Sequence, residues 1–427
     1  MHKVQLLAAQ AVGQVLAGRN LNQALDELRR NHPELVPPQR AALQDMSYSA
    51  LRWLGWLDAV LGRLLQRPLT DERVRCLLLV ALGQLEYGKS APHAVVDNAV
   101  RAAASFEQPW AKGLVNAVLR NFLRQRETLS QQLDQDEGAR LSYPFWWIAK
   151  LKIQYPEAWA SMLVAGNTHP PMTLRVNARK TGRDAYLSLL LQHEIAASAA
   201  GASGITLERP LPVEKLPGFG EGLASVQDLG AQQAAPLLDV SAGMRVLDAC
   251  SAPGGKAAHL LELADIELLA LDNDDARLSK VRDTLRRLEL AATVRQGDAA
   301  RPAGWWDGIP FDRILADVPC SASGIVRRHP DIKWLRRDAD IASFGAQQAN
   351  ILRGLWSTLA KGGKLLYATC SVFQEENSLQ VETFLAETPD ARCLSLDGPA
   401  ISGLEQEGQL LPCDAHDGFY YALLQKN

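Results

Sequence analysis

Two cysteines stand at the ends of apolar runs, where a thiol could act as a nucleophile. Cys320 follows one run within Asp317-Val318-Pro319-Cys320, and Cys370 follows another within Thr369-Cys370-Ser371. A thiolate is intrinsically very nucleophilic, and covalent catalysis divides one difficult step into two easier ones. Together with a nearby glycine-rich loop, the two cysteines therefore indicate covalent chemistry on a nucleic-acid base.

The glycine-rich loop joins an apolar run to a helical stretch. It reads Asp248-Ala249-Cys250-Ser251-Ala252-Pro253-Gly254-Gly255-Lys256. Glycines let a ligand approach the backbone closely, and the first turn of the helix offers free N–H donors. The next predicted strand ends at Asp272, roughly 20 residues past the loop, where an acid can bind ribose hydroxyls. The pattern predicts a nucleotide-like cofactor. It disfavours a triphosphate, because the spacing and the Lys-Ser/Thr ending of a P-loop are missing.

Composition is that of an ordinary globular chain. The 427 residues are 47% hydrophobic and carry a net charge of −3, which suits about three domains with a sizeable core. Nucleic-acid binders more often have a basic surplus, so an RNA-binding surface must be a local patch. Six cysteines without paired spacing indicate neither a disulfide framework nor zinc ligation, which fits a reducing cytoplasm. Glutamines interrupt the apolar N-terminus, which predicts an amphipathic helix and no membrane span.

Hydrophobic periodicity divides the chain into three regions. Leucines at helical spacing predict an all-helical bundle over residues 1–126. The polar stretch 127–140 is predicted to be a linker, with the extension of a helix as the alternative. Residues 141–238 mix strand and helix patterns and predict an α+β region. Over residues 239–427, apolar strands alternate with helical stretches, which predicts a mostly parallel sheet with helices on both faces. Ligands of such a sheet bind at the carboxyl ends of the strands. The candidate residues that fall there are Asp248, Asp272, Asp298, Asp317, Cys320 and Cys370.

At these motifs the chain resembles the RNA cytosine-C5 methyltransferases that use S-adenosylmethionine. The likeness rests on residues 248–256, with Ser251 where alanine is usual, and on the motifs around Asp272, Asp298, Asp317, Cys320 and Cys370. Residues 91–94 and 112–120 resemble the NusB-type RNA-binding domain. The resemblance implies a NusB-like helical domain, a mixed α+β middle domain and a C-terminal Rossmann-like methyltransferase domain, as in bacterial members that modify 16S ribosomal RNA.

The same resemblance implies a role for each motif residue. A thiolate that adds to C6 of cytosine turns C5 into an enamine-like carbon that can accept a methyl group. Cys370 is expected to be this nucleophile, with Cys320 assisting product release, although spacing alone cannot decide between two cysteines that end strands over one face. Lys256 would lower the thiol pKa, and Asp317, protonated for part of the cycle, would hydrogen-bond or protonate N3. The residues expected to bind S-adenosylmethionine are Cys250, Ser251, Ala252, Pro253, Gly254, Gly255, Lys256, Asp272, Asp298 and Asp317.

A basic cluster follows Cys320 in the sequence. The position of Arg327, Arg328 and Lys333 favours contacts with RNA phosphates, although a solvated surface is the common alternative. The predicted partner is 16S ribosomal RNA, naked or in an early assembly particle, for a monomeric cytoplasmic enzyme with no metal and no membrane contact. Two alternatives stay open: the same chemistry on transfer RNA or DNA, and a non-catalytic RNA-binding or ribosome-assembly factor.

Overall fold

Helical periodicity in the first part of the chain produces a helical bundle. The computed structural model describes residues 1–396 and 408–427, and the chain divides into two units. The first comprises Met1–Asn167 and Val326–Asp338, and the second comprises Thr168–Ile325 and Ala339–Asn427. Within the described residues, no helix is both long enough and apolar enough to cross a membrane.

The first unit is helical, and its leucines meet in one core. Leu25, Leu57 and Leu82, from three different helices, are all buried there. The helices of its continuous part are α1 (His2–Leu16), α2 (Leu21–Asn31), α3 (Pro37–Arg52), α4 (Leu54–Leu64), α5 (Glu72–Tyr87), α6 (Pro92–Ala103), α7 (Ala111–Leu133), α8 (Glu137–Leu141), α9 (Phe145–Gln154) and α10 (Trp159–Asn167).

The predicted linker over residues 127–140 is wrong. Helix α7 continues to Leu133, and α8 begins at Glu137. Leu129 and Leu133 are buried in the core of the bundle. Two apolar anchors one turn apart are enough to hold a polar segment in a helix, because they lie on the same face.

The second unit begins with a small antiparallel sheet. Its strands are β1 (Met172–Val176), β2 (Ala197–Ala200), β3 (Gly204–Leu207) and β4 (Ala224–Val226), in the order β2-β3-β1-β4. Helix α11 (Arg183–Gln192) packs Tyr186 and Leu190 onto this sheet. The mixture of strands and a helix agrees with the α+β pattern predicted for residues 141–238.

The larger sheet of the second unit carries the motif residues. Its main strands run in the order β10-β12-β9-β8-β5-β6-β7, and β11 pairs with β12. The strands are β5 (Arg245–Asp248), β6 (Glu267–Asp272), β7 (Thr293–Gln296), β8 (Phe311–Asp317), β9 (Leu359–Thr369), β10 (Ala391–Leu394), β11 (Gln409–Leu410) and β12 (Phe419–Lys426). Strands β5 to β9 pair in parallel, and β12 pairs antiparallel with β9.

Helices cover both faces of this sheet, as predicted. They are α12 (Ala234–Leu238), α13 (Gly255–Leu263), α14 (Asp275–Leu288), α16 (Asp338–Thr358) and α17 (Ser378–Glu387). The short helix α15 (Ile332–Leu335) is not one of them, because it belongs to the first unit. Successive strand residues point to opposite faces: Leu366 joins one apolar cluster, whereas Leu365 and Tyr367 join the other. Burial on both faces explains why these strands are continuous apolar runs.

Candidate active site

Neighbouring parallel strands bring the two cysteine motifs to one edge of the large sheet. In the register of β8 and β9, Asp317 lies opposite Ala368, two residues before Cys370. The Sγ atoms of Cys320 and Cys370 are 3.4 Å apart. The expectation that both cysteines end strands over one face therefore corresponds to an observed thiol pair.

The surroundings of Cys320 favour its protonated form. The hydrogen bond with Cys370, followed by burial and the nearby charge of Glu376, raises the pKa of the Cys320 thiol well above its ordinary value. Cys320 consequently keeps its proton at neutral pH. A thiol that stays protonated can donate a hydrogen bond to a neighbouring sulfur but is a poor nucleophile.

Lys256 and Asp317 form an ion pair close to these cysteines. Lys256 Nζ lies 2.5 Å from Asp317 Oδ2, and both side chains are largely shielded from solvent. Burial lowers the pKa of Lys256, but the charge and hydrogen bond of Asp317 and the charge of Cys370 outweigh it and leave this pKa raised. Lys256 therefore holds its proton within hydrogen-bonding distance of the Asp317 carboxylate.

A polar cavity of about 770 Å³ opens beside the loop after β5. Among the residues predicted to bind the cofactor, Cys250, Asp272 and Asp298 line it. Helix α16 contributes Gln347 and Asn350, which the sequence did not single out. The volume lies within the range typical of small-molecule sites, roughly 300–1,000 Å³.

Backbone amides orient the acid at the end of β6. Asp272 Oδ2 accepts a hydrogen bond from Ala252 N at 3.1 Å, and Oδ1 accepts one from Asp274 N at 3.2 Å. Gly254 caps the following helix with a φ of 97°, a left-handed conformation that favours glycine. The Ala252–Pro253 peptide bond is cis. The hydrogen bond from Ala252 N therefore fixes the Asp272 carboxylate against the glycine-rich loop.

Asp248, at the end of β5, is a buried acid. Neither carboxylate oxygen has a hydrogen-bond partner among the described residues, and burial raises the pKa of Asp248 to about 7. The nearby Ser251 hydroxyl opposes this rise in the pKa of Asp248, but it does not form a hydrogen bond with the carboxylate. A buried carboxyl group without a partner is costly unless a ligand completes it.

The structure corrects two of the three predicted phosphate contacts. Lys333 is 0% exposed and Arg327 is 1% exposed. Lys333 Nζ donates to Arg52 O at 2.6 Å, Ser142 O at 2.8 Å and Asn167 Oδ1 at 2.9 Å, all within the first unit. Burial, with a smaller effect of Arg52, lowers the pKa of Lys333 well below its ordinary value. A side chain whose three donors are used internally cannot bind phosphate. Arg328 is only half-buried, so its RNA contact stays a prediction.

A carboxylate to which the sequence analysis assigned no role lies buried behind the cysteine pair. Glu376 is 0% exposed. Its oxygens accept hydrogen bonds from the backbone and hydroxyl of Ser321, from the Ser371 hydroxyl and from Gln348. Its position shortly after the Cys370 motif was the only available signal, because nothing in the local pattern distinguishes a buried acid from a solvated one.

Sequence reasoning also missed an arginine that supports the cofactor loop. Arg175, on β1, forms a buried ion pair with Glu262 on α13 through two hydrogen bonds of 2.7 and 2.8 Å. Its Nη1 donates to Gly255 O at 2.7 Å. The small sheet is thereby bonded to the first turn of the helix that follows the glycine-rich loop.

Comparison with protein-family models gives three adjoining matches. Residues 235–425 match the 16S rRNA methyltransferase RsmB/F family, residues 143–214 match the ferredoxin-like domain of RsmF/B-like methyltransferases, and residues 2–124 match the NusB family. The predicted fold class, with a NusB-like helical domain, a mixed middle domain and a methyltransferase domain, is confirmed.

Individual relatives cover nearly the whole chain. A ribosomal RNA small subunit methyltransferase B from Pseudomonas putida is 46% identical over 99% of this chain and 98% of its own length. The crystal structure of PH0851 superposes with a TM-score of 0.81 at 23% identity, covering 100% of this chain and 99% of that one, and so shares the fold. A methyltransferase homolog protein from Pyrococcus horikoshii is 27% identical, with a TM-score of 0.59 over 68% of this chain and 98% of its own. Full-length identity of this order, together with the matching domain models, shows that the chain belongs to the 16S rRNA methyltransferase RsmB/F family.

Proposed function

We propose that this protein transfers a methyl group from S-adenosylmethionine to C5 of a specific cytosine in 16S ribosomal RNA, through a covalent bond between Cys370 and C6. The observation that carries the proposal is the thiol pair, with Sγ atoms 3.4 Å apart, at the sheet edge that also holds the Lys256–Asp317 pair. Membership of the RsmB/F family supports the choice of substrate.

Residues of the cavity, of the end of β5 and of the loop that follows β5 suit S-adenosylmethionine. The unsatisfied carboxylate of Asp248 suits a cationic ammonium group, Asp272 suits two ribose hydroxyls, and Asp298 suits a base edge. A side chain built onto Gly255 would meet no atom nearer than 3.8 Å, which leaves space for a ligand to approach the backbone. Bound there, the cofactor supplies the electrophilic methyl group that cytosine C5 accepts.

The protein's own groups account for activation of the base. As the Cys370 thiolate forms the S–C6 bond, the displaced electron pair moves towards N3. A proton that Lys256 holds 2.5 Å from Asp317 Oδ2 passes through this carboxylate to N3, neutralises the charge there and returns to the pair once C5 is methylated. C5 has no nucleophilic character before the thiolate adds, so this covalent step makes the methylation possible.

The same groups account for release. Water removes the C5 proton, the C5–C6 double bond forms again, and the S–C6 bond breaks with its electron pair on Cys370. Cys320, which keeps its proton, donates a hydrogen bond to the departing sulfur across 3.4 Å. The raised pKa of Cys320 supports the proposal, carried over from the resemblance, that Cys370 attacks and Cys320 assists release.

The target base must leave its stack for C6 to reach a sulfur at a sheet edge. We place the reaction in the cytoplasm, on naked 16S RNA or on an early assembly particle, with Arg328 as a phosphate contact. The same chemistry on transfer RNA or DNA is the alternative.

The test uses purified protein, methyl-labelled S-adenosylmethionine, and 16S RNA, transfer RNA, DNA and small-subunit assembly particles as separate substrates. We expect 5-methylcytosine at one position of 16S RNA or of the particle. Cys370→Ala should abolish methylation and leave cofactor affinity within about twofold, because only the covalent step is lost. Cys320→Ala should accumulate a protein–RNA adduct that survives denaturing electrophoresis.

The matched control is Cys393→Ala, which removes an exposed thiol on β10 and should leave methylation unchanged. Methylation by Cys370→Ala would contradict the nucleophile assignment. Label found only in transfer RNA or DNA would keep the chemistry and reject the ribosomal substrate.

A further inference from the structure

We propose that Glu376 is a positioning residue that holds the loops of Cys320 and Cys370 together. The inference deepens the proposed function and rests on it for its catalytic consequence. Glu376 is 0% exposed, so it acts through the two cysteines and not through contact with RNA.

Four donors from three separate segments converge on this one carboxylate. Oε1 accepts from Ser321 N at 2.7 Å and from Gln348 Nε2 at 3.2 Å. Oε2 accepts from Ser321 Oγ and from Ser371 Oγ, each at 2.5 Å. Charge-assisted hydrogen bonds of this kind are short and roughly twice as strong as neutral ones. Glu376 therefore binds the residue immediately after each catalytic cysteine.

Further hydrogen bonds fix the residue before Cys320 and the backbone of Cys370 itself. Gln348 Nε2 also donates to Pro319 O at 3.0 Å, one residue before Cys320. On the second loop, Gly324 N donates to Cys370 O at 2.8 Å. A side chain at Gly324 would approach Cys370 O to 2.9 Å, so the two loops are in close backbone contact. The distance between the sulfurs is thus set by a network centred on Glu376.

The charge of Glu376 has an effect separate from its bonds. It contributes to the raised pKa of Cys320, after the hydrogen bond with Cys370, burial and the charge of Cys370. A buried negative charge disfavours a second one nearby. Glu376 therefore disfavours ionisation of the Cys320 thiol.

Glu376→Gln separates charge from shape. The amide has nearly the same outline, and the hydroxyls of Ser321 and Ser371 can rotate to accept from its NH₂ group. We expect the variant to keep its fold, and its affinity for cofactor and its KM for RNA within about twofold of wild type, while kcat falls about tenfold. We expect only kcat to change because the substitution alters the surroundings of the reacting sulfurs and leaves the binding of cofactor and RNA intact.

The thiols themselves give a readout that needs no RNA. In a Cys370→Ala background, the rate at which iodoacetamide alkylates Cys320 is followed against pH by mass spectrometry. Adding Glu376→Gln should shift that profile about one unit downward, or about tenfold in rate at a given pH, because one buried charge is removed. A role limited to folding would not move this profile.

Glu376→Ala tests the geometric part. In proteins that retain both cysteines, diamide takes two electrons and two protons from the thiol pair and forms a disulfide. We expect this cross-link to form about tenfold more slowly in Glu376→Ala than in Glu376→Gln, because only the alanine variant releases the loops. Glu382→Gln, an exposed acid on α17, is the matched control and should behave as wild type in all assays.

An unshifted alkylation profile with wild-type kcat in Glu376→Gln would overturn the proposal. Loss of cofactor binding in the same variant would also overturn it, since the role would then be structural only. If the wild-type protein methylated nothing, the proposed function would fail, whereas the alkylation and cross-linking assays would still decide the role of Glu376.

Discussion

Replacing Arg175 with methionine tests how the small sheet supports the cofactor loop. Arg175 and Glu262 are 0% and 1% exposed, and their ion pair lies beside a further bond from Arg175 to Gly255 O. Arg175→Met leaves the Glu262 carboxylate buried without a cation. Removing one partner of a buried pair typically costs about 3–5 kcal/mol, because the remaining charge is uncompensated.

The pH dependence follows from the direction of the Glu262 shift. Burial raises the pKa of Glu262 above its ordinary 4.5, and Arg175 is the largest influence that opposes the rise. The folded protein therefore binds this proton more tightly than the unfolded chain, and stability falls as pH rises above 4.5. Without Arg175, the buried Glu262 carboxylate can take up a proton. The loss of stability caused by its charge therefore cannot exceed the free energy of protonating it, about 1.36 kcal/mol for each pH unit above 4.5. It amounts to about 3.4 kcal/mol at pH 7 and about 1.4 kcal/mol at pH 5.5.

The assay is urea unfolding followed by hydrogen–deuterium exchange of peptides from the second unit, so that unfolding of the first unit does not interfere. We expect Arg175→Met to lose about 3 kcal/mol at pH 7, near that upper limit, and about 2 kcal/mol less at pH 5.5. Its cofactor affinity should fall about tenfold, because Gly255 O loses its donor.

Two variants control this experiment. Arg175→Met combined with Glu262→Leu should recover most of the stability, since an apolar pair can replace a buried ion pair. Arg179→Met removes an exposed arginine whose nearest acid, Asp265, is 3.9 Å away, and should cost less than about 1 kcal/mol. A loss of equal size at both pH values would refute the reasoning, because the Glu262 charge could not be its cause.

Three further predictions concern the cofactor site and the first unit. Asp272→Ala should weaken S-adenosylmethionine binding by about 1.5–3 kcal/mol, the value of hydrogen bonds to a charged group, and calorimetry that finds wild-type affinity would contradict its assignment. Because burial raises the pKa of Asp248 to about 7, this acid is mostly protonated at pH 6, and a cationic cofactor should displace up to about one proton; calorimetry in buffers of different ionisation enthalpy measures it, and identical heats would refute it. Lys333→Met should destabilise the first unit by about 3 kcal/mol, since three buried oxygens lose their donor, and unchanged hydrogen exchange in helices α3 and α8 would exclude this role.

Much of the fold of the second unit follows from the local pattern of apolar residues in the sequence. Strands buried on both faces are continuous apolar runs, and a parallel sheet directs all their carboxyl ends to one edge. These two features predict from the sequence alone that Cys320, Cys370, Asp317 and Asp272 lie near one another. The thiol pair and the Lys256–Asp317 pair agree with that expectation, because the motif residues follow directly from strand ends.

Only the tertiary structure determines whether a charged side chain is buried and which groups it contacts. Lys333 looks like a surface cation in the sequence, yet it donates to three oxygens inside the first unit. Glu376 and Arg175 look like ordinary polar residues, yet each is buried and bonded to segments distant in sequence. Residues 127–133 look like a linker, yet Leu129 and Leu133 find a core. Periodicity reports which face of a local element is apolar, whereas the burial and partners of a charged group depend on segments far apart in the chain, so only the folded structure determines them.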